Sequence, residues 1–220
     1  MTHSLVVDSV ILEFSGRKVL QDVYLKCETG RVTGLLGRNG AGKTCLMNIM
    51  YGELFTENKS VRLNGETFIS NARLPRDLRY CPQFNFIPKS VTVQSVLRNF
   101  EVDPANFTLE FPELQKYLNK QLGSLSGGLQ RVVEVYAILA SKTKFCLLDE
   151  PFSHIAPLHI EKIKKIIKTE SNNKGILLTD HLYEHIVEVS DEVYLIKDGK
   201  TYLTSSRQDI ETLGYAIITD

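Results

Sequence analysis

A glycine-rich loop between an apolar run and a helix-forming run constrains the fold of this chain more than any other feature. The letters GRNGAGKT fit the spacing G-x-x-x-x-G-K-[ST], with the fixed positions at Gly37, Gly42, Lys43 and Thr44. The preceding VTGLL is typical of a buried parallel strand, and the following TCLMNIM is typical of a helix. A strand that turns through glycines into a helix predicts a phosphate loop in an α/β domain.

The spacing of this loop suits a polyphosphate. Glycine permits positive φ and has no Cβ, so backbone N–H groups can approach phosphate oxygens. The helix that begins near Gly42 points its positive end at the anion. Lys43 is expected to reach the β- and γ-phosphates, and the Thr44 hydroxyl to ligate Mg²⁺. A glycine loop without function is the alternative, but the flanking strand and helix favour nucleotide binding. The predicted nucleotide contacts are Gly37, Arg38, Asn39, Gly40, Ala41, Gly42, Lys43, Thr44 and Cys45.

Two acidic residues end another apolar run. The letters FCLLDE predict a buried strand from whose C-terminal end Asp149 and Glu150 emerge. Ligands of open α/β sheets bind at that end of the strands. We expect Asp149 to hold Mg²⁺ and Glu150 to polarise the attacking water as a general base. The alternative is an acidic pair that caps the next helix before Pro151.

Composition limits the classes of partner and the cellular compartment that we expect for this chain. The 220 residues, 43% of them apolar, are enough for one domain with a sizeable core. Lysine plus arginine equals aspartate plus glutamate, 26 against 26, so no nucleic-acid partner is expected. The four cysteines form no C-x-x-C pair, which favours reduced thiols in the cytoplasm over a zinc or redox site. The N-terminal MTHSLVVDSVILEF is typical of a strand and not of a signal peptide. No apolar run approaches the roughly 20 residues that span a bilayer, so a membrane role would require a partner.

Strand-like and helix-like segments alternate along the chain. Strands are predicted at residues 4–14, 23–30, 31–37, 78–83, 144–150 and 175–180, with hairpins at 60–69 around Asn64-Gly65 and at 192–203 around Asp198-Gly199. Helices are predicted at residues 43–54, 127–140, 157–170 and 181–190, and a helical stretch at 92–122 is interrupted by Pro104 and Pro112. This alternation predicts a mainly parallel sheet with helices on its faces.

Five motifs in their usual order make the chain similar to the ATPases of the ATP-binding cassette (ABC) family of transporters, over nearly its whole length. LGRNGAGKT resembles the phosphate loop of that family, SLSGGLQR its signature motif, and FCLLDEPF its acidic strand. RYCPQF places Gln83 at the family's glutamine loop, and LLTDH places His181 at its switch histidine. LLDEPF, SLSGGLQRVVEV and LLTDH look most like the ATPases of branched-chain amino acid importers and lipopolysaccharide exporters.

The resemblance implies a P-loop NTPase fold in which the mainly parallel core sheet carries an antiparallel β subdomain and a small helical subdomain. It implies one nucleotide-binding domain over residues 1–220, with the catalytic core and β subdomain at 1–82 and 144–220. The helical subdomain, at about 83–143, would include the signature motif. The resemblance also implies ATP and Mg²⁺ as cofactors, ATP hydrolysis, and a separate transmembrane permease subunit. The chain would then lie on the cytoplasmic face of the inner membrane.

The same resemblance assigns roles to single residues. Phe14 would stack on adenine, and Gln83 would ligate Mg²⁺ and contact the helical subdomain. His181 would hydrogen-bond the γ-phosphate or the attacking water. In a head-to-tail homodimer that forms on ATP binding, the signature motif of one subunit would close over the γ-phosphate of the other through Ser126, Gly127 and Gly128. The plainer alternatives are a core aromatic at Phe14, a loop glutamine, an exposed histidine and a helix N-cap in SLSGG.

The loop after the acidic strand departs from the family pattern. Ala156 stands where the family has aspartate, and His154 replaces a small residue. Because this loop links the two ATP sites across the dimer in the family, the lost carboxylate predicts weaker communication between the sites. Cleavage should persist, because the catalytic glutamate and histidine are present. The segment 83–126 is also short for a lobe that docks membrane partners, which predicts a reduced docking surface.

Two other functions are compatible with these motifs. One is an ATP-gated clamp that regulates a partner with little turnover, for which the altered loop is the clue. The other is a soluble, non-transport ABC ATPase of DNA repair or of the ribosome. Repair types carry long coiled-coil insertions and ribosomal types carry two cassettes, and this sequence has neither feature. A phosphate-release assay separates the clamp from the ATPase.

Overall fold

The computed structural model describes residues 2–67, 77–204 and 207–215. Within these ranges the strands are β1 (Ser4–Phe14), β2 (Arg17–Glu28), β3 (Val32–Gly37), β4 (Ser60–Leu63), β5 (Glu66–Thr67), β6 (Leu78–Cys81), β7 (Phe145–Asp149), β8 (Gly175–Thr179), β9 (Glu192–Lys197) and β10 (Lys200–Thr204). The α-helices are α1 (Lys43–Tyr51), α2 (Val93–Asn99), α3 (Pro104–Glu110), α4 (Gly127–Ala140), α5 (Pro157–Ser171), α6 (Tyr183–Val189) and α7 (Arg207–Thr212). Short 3-10 helices cover Pro112–Tyr117 and Leu122–Ser124. None of the described helices is both long and apolar enough to cross a membrane.

The strands form one sheet in the order β5-β4-β1-β2-β10-β9-β3-β8-β7-β6. Strands β9, β3, β8, β7 and β6 pair in parallel, and every residue of β3, β7 and β8 is buried. Parallel strands that are covered on both faces need no polar residues, which explains the unbroken apolar runs in the sequence. Strands β1, β2, β4 and β5 pair antiparallel. The predicted fold class, a parallel core with an antiparallel β part and added helices, is confirmed.

Helices cover both faces of the parallel strands. Leu147 on β7 belongs to the same core cluster as Leu46 of α1, whereas its neighbours Cys146 and Leu148 belong to the cluster that contains the buried side of α4 and α5. Successive side chains of a strand point to opposite faces, so β7 separates the two clusters. Because β3, β8 and β7 are neighbouring parallel strands, their carboxyl ends meet at one edge of the sheet, where a ligand site is expected.

The prolines of the middle segment start helices instead of only interrupting them. Pro104 is the first residue of α3, and Pro112 is the first residue of a 3-10 helix. Proline suits this position because its missing N–H would have no partner there. Phe107 and Phe111 lie on this segment and pack on Tyr136 of α4, with ring centroids 5.1 and 5.8 Å apart. These aromatic contacts attach the short helices to α4.

Some predicted boundaries were wrong. Strand β2 begins at Arg17 and not at residue 23, because Ser15 and Gly16 form a tight turn with φ of 49° and 81°. The helix predicted from His181 begins at Tyr183, so the histidine lies in the loop before α6. The hairpin around Asp198-Gly199 is confirmed by β9 and β10. In the other predicted hairpin β4 pairs with β5, while positions 68 and 69 of that prediction lie outside the described residues.

Candidate active site

The phosphate loop connects β3 to α1 at the carboxyl edge of the sheet. Gly42 is the N-cap of α1 with φ 103°, a left-handed conformation that favours glycine. A Cβ at this position would lie 2.8 Å from Leu20 Cδ2 and 3.0 Å from Val19 Cγ1. No side chain of residues 2–67, 77–204 or 207–215 caps the helix, so its first N–H groups are available to an anion. The glycine is therefore required both by the turn and by the close packing of β2.

The lysine of the loop folds back over it. Lys43 is 7% exposed, and its Nζ donates hydrogen bonds to the carbonyl oxygens of Gly37 at 2.6 Å and of Arg38 at 3.4 Å. Burial lowers the pKa of Lys43, and the charges of Glu150, Asp149 and Asp180 act in the opposite direction. A buried ammonium that is held only by carbonyl oxygens would gain from a nearby polyphosphate.

A cavity of about 590 Å³ opens beside the phosphate loop. Its lining brings together most of the residues that the sequence predicts: Phe14, Asn39, Gly40, Ala41, Gly42, Lys43, Thr44, Cys45, Gln83, Glu150 and His181. Phe14 ends β1 at the rim of the cavity, and its side chain is 49% exposed. Val19, which sequence reasoning missed, also lines the cavity. Gly37 is buried beneath the loop, and Arg38 lines an adjoining cleft.

The two acids occupy different environments at the end of β7. Asp149 is 1% exposed, and its Oδ2 accepts a hydrogen bond from the Tyr80 hydroxyl at 3.1 Å, while its Oδ1 has no hydrogen-bond partner among the described residues. Burial raises the pKa of Asp149, and the neighbouring hydroxyl groups of Thr44 and Tyr80 oppose the increase. An unpartnered carboxylate oxygen beside a threonine hydroxyl fits a small divalent cation, because Mg²⁺ prefers oxygen ligands.

Glu150 points into the cavity, and three side chains surround its carboxylate. Gln83 Nε2 donates to Oε2 at 2.9 Å, Ser153 Oγ donates at 3.2 Å, and His181 Nδ1 lies 3.6 Å away. The backbone of Glu150 has φ 48°, which is rare for a residue with a side chain and costs energy. The alternative role for the acidic pair, capping the next helix, is wrong, since Ala156 is the N-cap of α5.

The switch histidine has an acidic neighbour that sequence reasoning missed. His181 Nδ1 lies 3.4 Å from Asp180 Oδ1, and Asp180 is fully buried. Asp180 accepts backbone N–H groups from Leu182 and Phe152, which fixes its carboxylate in the loop before α6. Burial raises the pKa of Asp180, opposed by these N–H groups and by His181. The adjacent letters DH were the available sequence signal for this pair.

The signature residues lie apart from the phosphate-loop cavity. Ser126 caps α4 by accepting the Leu129 N–H at 3.4 Å. A Cβ on Gly127 would meet nothing within 4 Å, whereas a Cβ on Gly128 would lie 2.4 Å from the carbonyl oxygen of His154. Gly127 and His154 line a second surface cavity of about 380 Å³, which shares Gln83 with the phosphate-loop cavity. The signature residues themselves do not line the phosphate-loop cavity.

Comparisons with known proteins agree with this geometry. The family model described as ABC transporter matches residues 20–153. The lipopolysaccharide export system ATP-binding protein LptB of Haemophilus influenzae is 32% identical over 222 residues, which cover 94% of this chain and 92% of that protein. A solved ATP-binding subunit of an ABC transporter superposes with a TM-score of 0.81 at 20% identity, covering 96% of this chain and 93% of the other. A bacterial Atm1-family ABC exporter with ATP bound gives a TM-score of 0.82 at 16% identity, covering 97% of this chain and 41% of the exporter.

The fold, the phosphate loop and the order of the motifs agree with the matched family model and with a relative that aligns over almost the full length. Members of this family hydrolyse ATP and work with transmembrane subunits. The chain therefore belongs to the ABC transporter family, as an ATP-binding subunit.

Proposed function

We propose that this chain hydrolyses Mg²⁺-bound ATP to ADP and phosphate as a homodimer, and so drives a separate transmembrane permease subunit from the cytoplasmic face of the inner membrane. The observation that carries the proposal is the carboxylate of Glu150, held by Gln83 and Ser153 at the mouth of the phosphate-loop cavity. A carboxylate positioned beside a polyphosphate site suits a general base for an attacking water.

The phosphate loop and the aromatic rim account for nucleotide binding. The exposed ring of Phe14 at the rim of the cavity offers a face for adenine. The uncapped start of α1 offers N–H groups to the phosphates, with contacts from residues 37–45. Lys43 exchanges its hydrogen bonds to loop carbonyl oxygens for stronger, charge-assisted ones to phosphate oxygens.

Three residues would hold the metal: Thr44, Gln83 and Asp149. The support is the unpartnered Oδ1 of Asp149 and the proximity of the Thr44 hydroxyl. When bound, Mg²⁺ supplies positive charge that neutralises the phosphate oxygens during cleavage. Gln83 uses its Nε2 for the hydrogen bond to Glu150, and its amide oxygen is the atom that would ligate the metal.

Glu150 and His181 would carry the proton chemistry. Glu150 accepts the proton of the attacking water, and the hydrogen bonds from Gln83 and Ser153 keep its carboxylate in place. His181, held next to the buried Asp180, is positioned to orient the water or to donate to the γ-phosphate. The arrangement matches a base that is oriented by neighbouring polar groups.

The separation of the signature motif from the phosphate loop supports the homodimer. Ser126, Gly127 and Gly128 lie at the start of a 14-residue helix, which is suited to an anion, but none of them lines the phosphate-loop cavity of the same chain. In a two-fold, head-to-tail dimer, the ATP bound by each subunit would supply the anion for the signature motif of the other subunit. This arrangement would bury two ATP molecules between two subunits.

Phosphate release from the purified chain tests the ATPase against the regulatory clamp. With ATP and Mg²⁺ we expect sustained turnover, and with EDTA in place of the metal we expect none. Hydrolysis that is equally fast in EDTA would contradict the role of Asp149. ATP binding without multiple turnovers would instead support the clamp, which the missing carboxylate at Ala156 favours.

Asp149→Asn is expected to raise the unfolding temperature of the chain and to abolish Mg²⁺-dependent hydrolysis. Burial raises the pKa of Asp149 above its ordinary value of 3.8, so the ionised form destabilises the folded state. The increase in folding stability that asparagine gives is therefore largest above the folded-state pKa of Asp149, and it disappears as the pH falls towards 3.8. On a scale of about 2–4 °C per kcal/mol, a shift of a few degrees is expected. Thermal unfolding of both proteins over a pH series checks this, and a variant that unfolds at a lower temperature throughout contradicts it.

Ala156→Asp is expected to stabilise the chain and to strengthen cooperation between the two ATP sites. Ala156 is an exposed N-cap without a side-chain hydrogen bond, and a capping side chain there contributes about 1 kcal/mol. Urea unfolding measures the first effect, and the Hill coefficient of ATP hydrolysis measures the second.

Ala156→Asn is the matched control, because asparagine caps the helix without a charge. Asparagine should reproduce the gain in stability and leave the Hill coefficient unchanged. If aspartate changes neither the rate nor the Hill coefficient, the loop at Ala156 does not limit communication between the sites.

A further inference from the structure

We propose that Arg131 and Glu134, a buried ion pair on α4, are positioning residues that fix the glutamine loop and the catalytic loop to this helix. The glutamine loop is defined here as residues 82–87, and the catalytic loop as residues 149–153. Arg131 is 2% exposed and Glu134 is fully buried, with Nη1 and Oε2 3.9 Å apart. The proposal rests on the function proposed above for Glu150.

Arg131 joins the starts of the two loops. Its Nη1 donates to the Pro82 carbonyl oxygen at 2.6 Å, and its Nη2 donates to the carbonyl oxygens of Asp149 at 2.7 Å and Glu150 at 3.2 Å. The rigid guanidinium can satisfy several acceptors in fixed directions at once. Because the backbone of Glu150 is in the strained left-handed region, a neighbour must hold it there. Arg131 therefore fixes where the base emerges from the strand.

Glu134 fixes the other end of the glutamine loop. Its Oε1 accepts the backbone N–H groups of Phe86 and Ile87, both at 3.0 Å. Residues 83–85 are thus held on both sides by two side chains that lie one helical turn apart on α4. Gln83, which lies between these two attachments, donates to the Glu150 carboxylate. The buried pair sets the distance over which that hydrogen bond forms.

The incomplete pairing of the two charges argues against a role in stability alone. Within the part of the chain that the structure describes, Arg131 Nε and Glu134 Oε2 have no hydrogen-bond partner, although both are buried. Burial raises the pKa of Glu134, opposed by the N–H of Ile87, the charge of Arg131 and the N–H of Phe86. Apolar side chains of similar size often stabilise a core as well as such a pair does. What apolar residues cannot supply is the set of directed hydrogen bonds to the two loops.

The pair also links the proposed dimer contact to the chemistry. Helix α4 begins with the signature residues at Gly127, so a shift of this helix moves Arg131 and Glu134 with it. The two loops follow, because their backbone is bonded to these side chains. Closure of a second subunit over the signature motif would thereby change the position of Gln83 and Glu150.

The double variant Arg131→Met/Glu134→Leu tests the proposal, because it removes the directed bonds without leaving a lone buried charge. We expect kcat for ATP hydrolysis to fall at least about tenfold, with KM for ATP within about twofold of the parent. The matched control is Lys164→Met/Glu188→Leu, which removes a buried lysine and its carboxylate partner between α5 and α6. The control should keep the parent kcat. Equal kcat in the parent and the test variant would overturn the proposal.

A tryptophan reporter separates this proposal from the role of Glu150. The chain contains no tryptophan, and Phe84 lies in the glutamine loop with 71% of its side chain exposed. With Phe84→Trp in each background, we expect lower fluorescence anisotropy in the double variant than in the parent or the control. Unchanged anisotropy means that the pair does not hold the loop, whatever residue acts as the base.

Arg131→Lys provides the test if the double variant does not fold. Lysine keeps the positive charge but, as a single ammonium, does not span the Pro82 and Asp149 carbonyl oxygens together. Arg131→Lys should lower both kcat and the fluorescence anisotropy of Phe84→Trp, as the double variant is expected to do. Parent values of both quantities in this variant would contradict the positioning role.

Discussion

Glu150→Gln is expected to lower kcat for ATP hydrolysis by about 10²–10⁴-fold, the usual contribution of a positioned general base. Glutamine has nearly the same shape and still accepts the hydrogen bonds that Gln83 and Ser153 donate, but it does not take a proton from water. The affinity for ATP should stay close to that of the parent, because the phosphate loop is unchanged. Steady-state phosphate release and equilibrium binding of ATP measure the two quantities separately.

Glu113→Gln is a suitable control for this variant. Glu113 is a partly exposed carboxylate that pairs with Lys162 outside the cavity, so its loss should leave kcat unchanged. Hydrolysis by Glu150→Gln within tenfold of the parent would show that another group activates the water.

Lys43→Met is expected to weaken ATP binding by about 10- to 100-fold, which corresponds to about 1.5–3 kcal/mol for hydrogen bonds from a charged donor. Methionine has a similar length but offers no donor to the phosphates. The chain without nucleotide should keep its stability or gain slightly, because burial already lowers the pKa of this lysine. Isothermal titration calorimetry and thermal unfolding check the two parts of this prediction.

Lys162→Met removes a partly exposed lysine far from the cavity and should leave ATP binding unchanged. A Lys43→Met protein that binds ATP as tightly as the parent would contradict the assignment of the phosphate site.

The elements that the sequence predicted best are those whose pattern is local. The glycine spacing of residues 37–44 and the unbroken apolar runs of β3, β7 and β8 each depend on a few consecutive residues. The short turn at Ser15 and Gly16 escaped prediction, because serine–glycine is a weaker turn signal than asparagine–glycine. The middle segment was predicted only as interrupted helix, since α3 and the 3-10 helix that follows it depend on aromatic packing against α4.

In the candidate site, as in the fold, some features follow from local sequence and others depend on tertiary packing. Its principal residues could be named from motifs, but the contacts among them come from segments far apart in sequence. The hydrogen bond from Tyr80 to Asp149 depends on how β6 lies beside β7, which no local pattern fixes. The bonds from Arg131 to Pro82 and Asp149 likewise need α4 to lie across two loops. In the sequence, Arg131 and Glu134 are merely polar positions of an amphipathic helix.

The homodimer is the part of the proposed function that requires a second chain, because the signature residues do not line the phosphate-loop cavity of their own chain. Light scattering of Glu150→Gln with saturating ATP and Mg²⁺, combined with a count of bound nucleotide, tests it most directly. We expect a particle of about twice the 24.9 kDa chain mass that holds two ATP molecules. A single chain that binds one ATP under these conditions would contradict it.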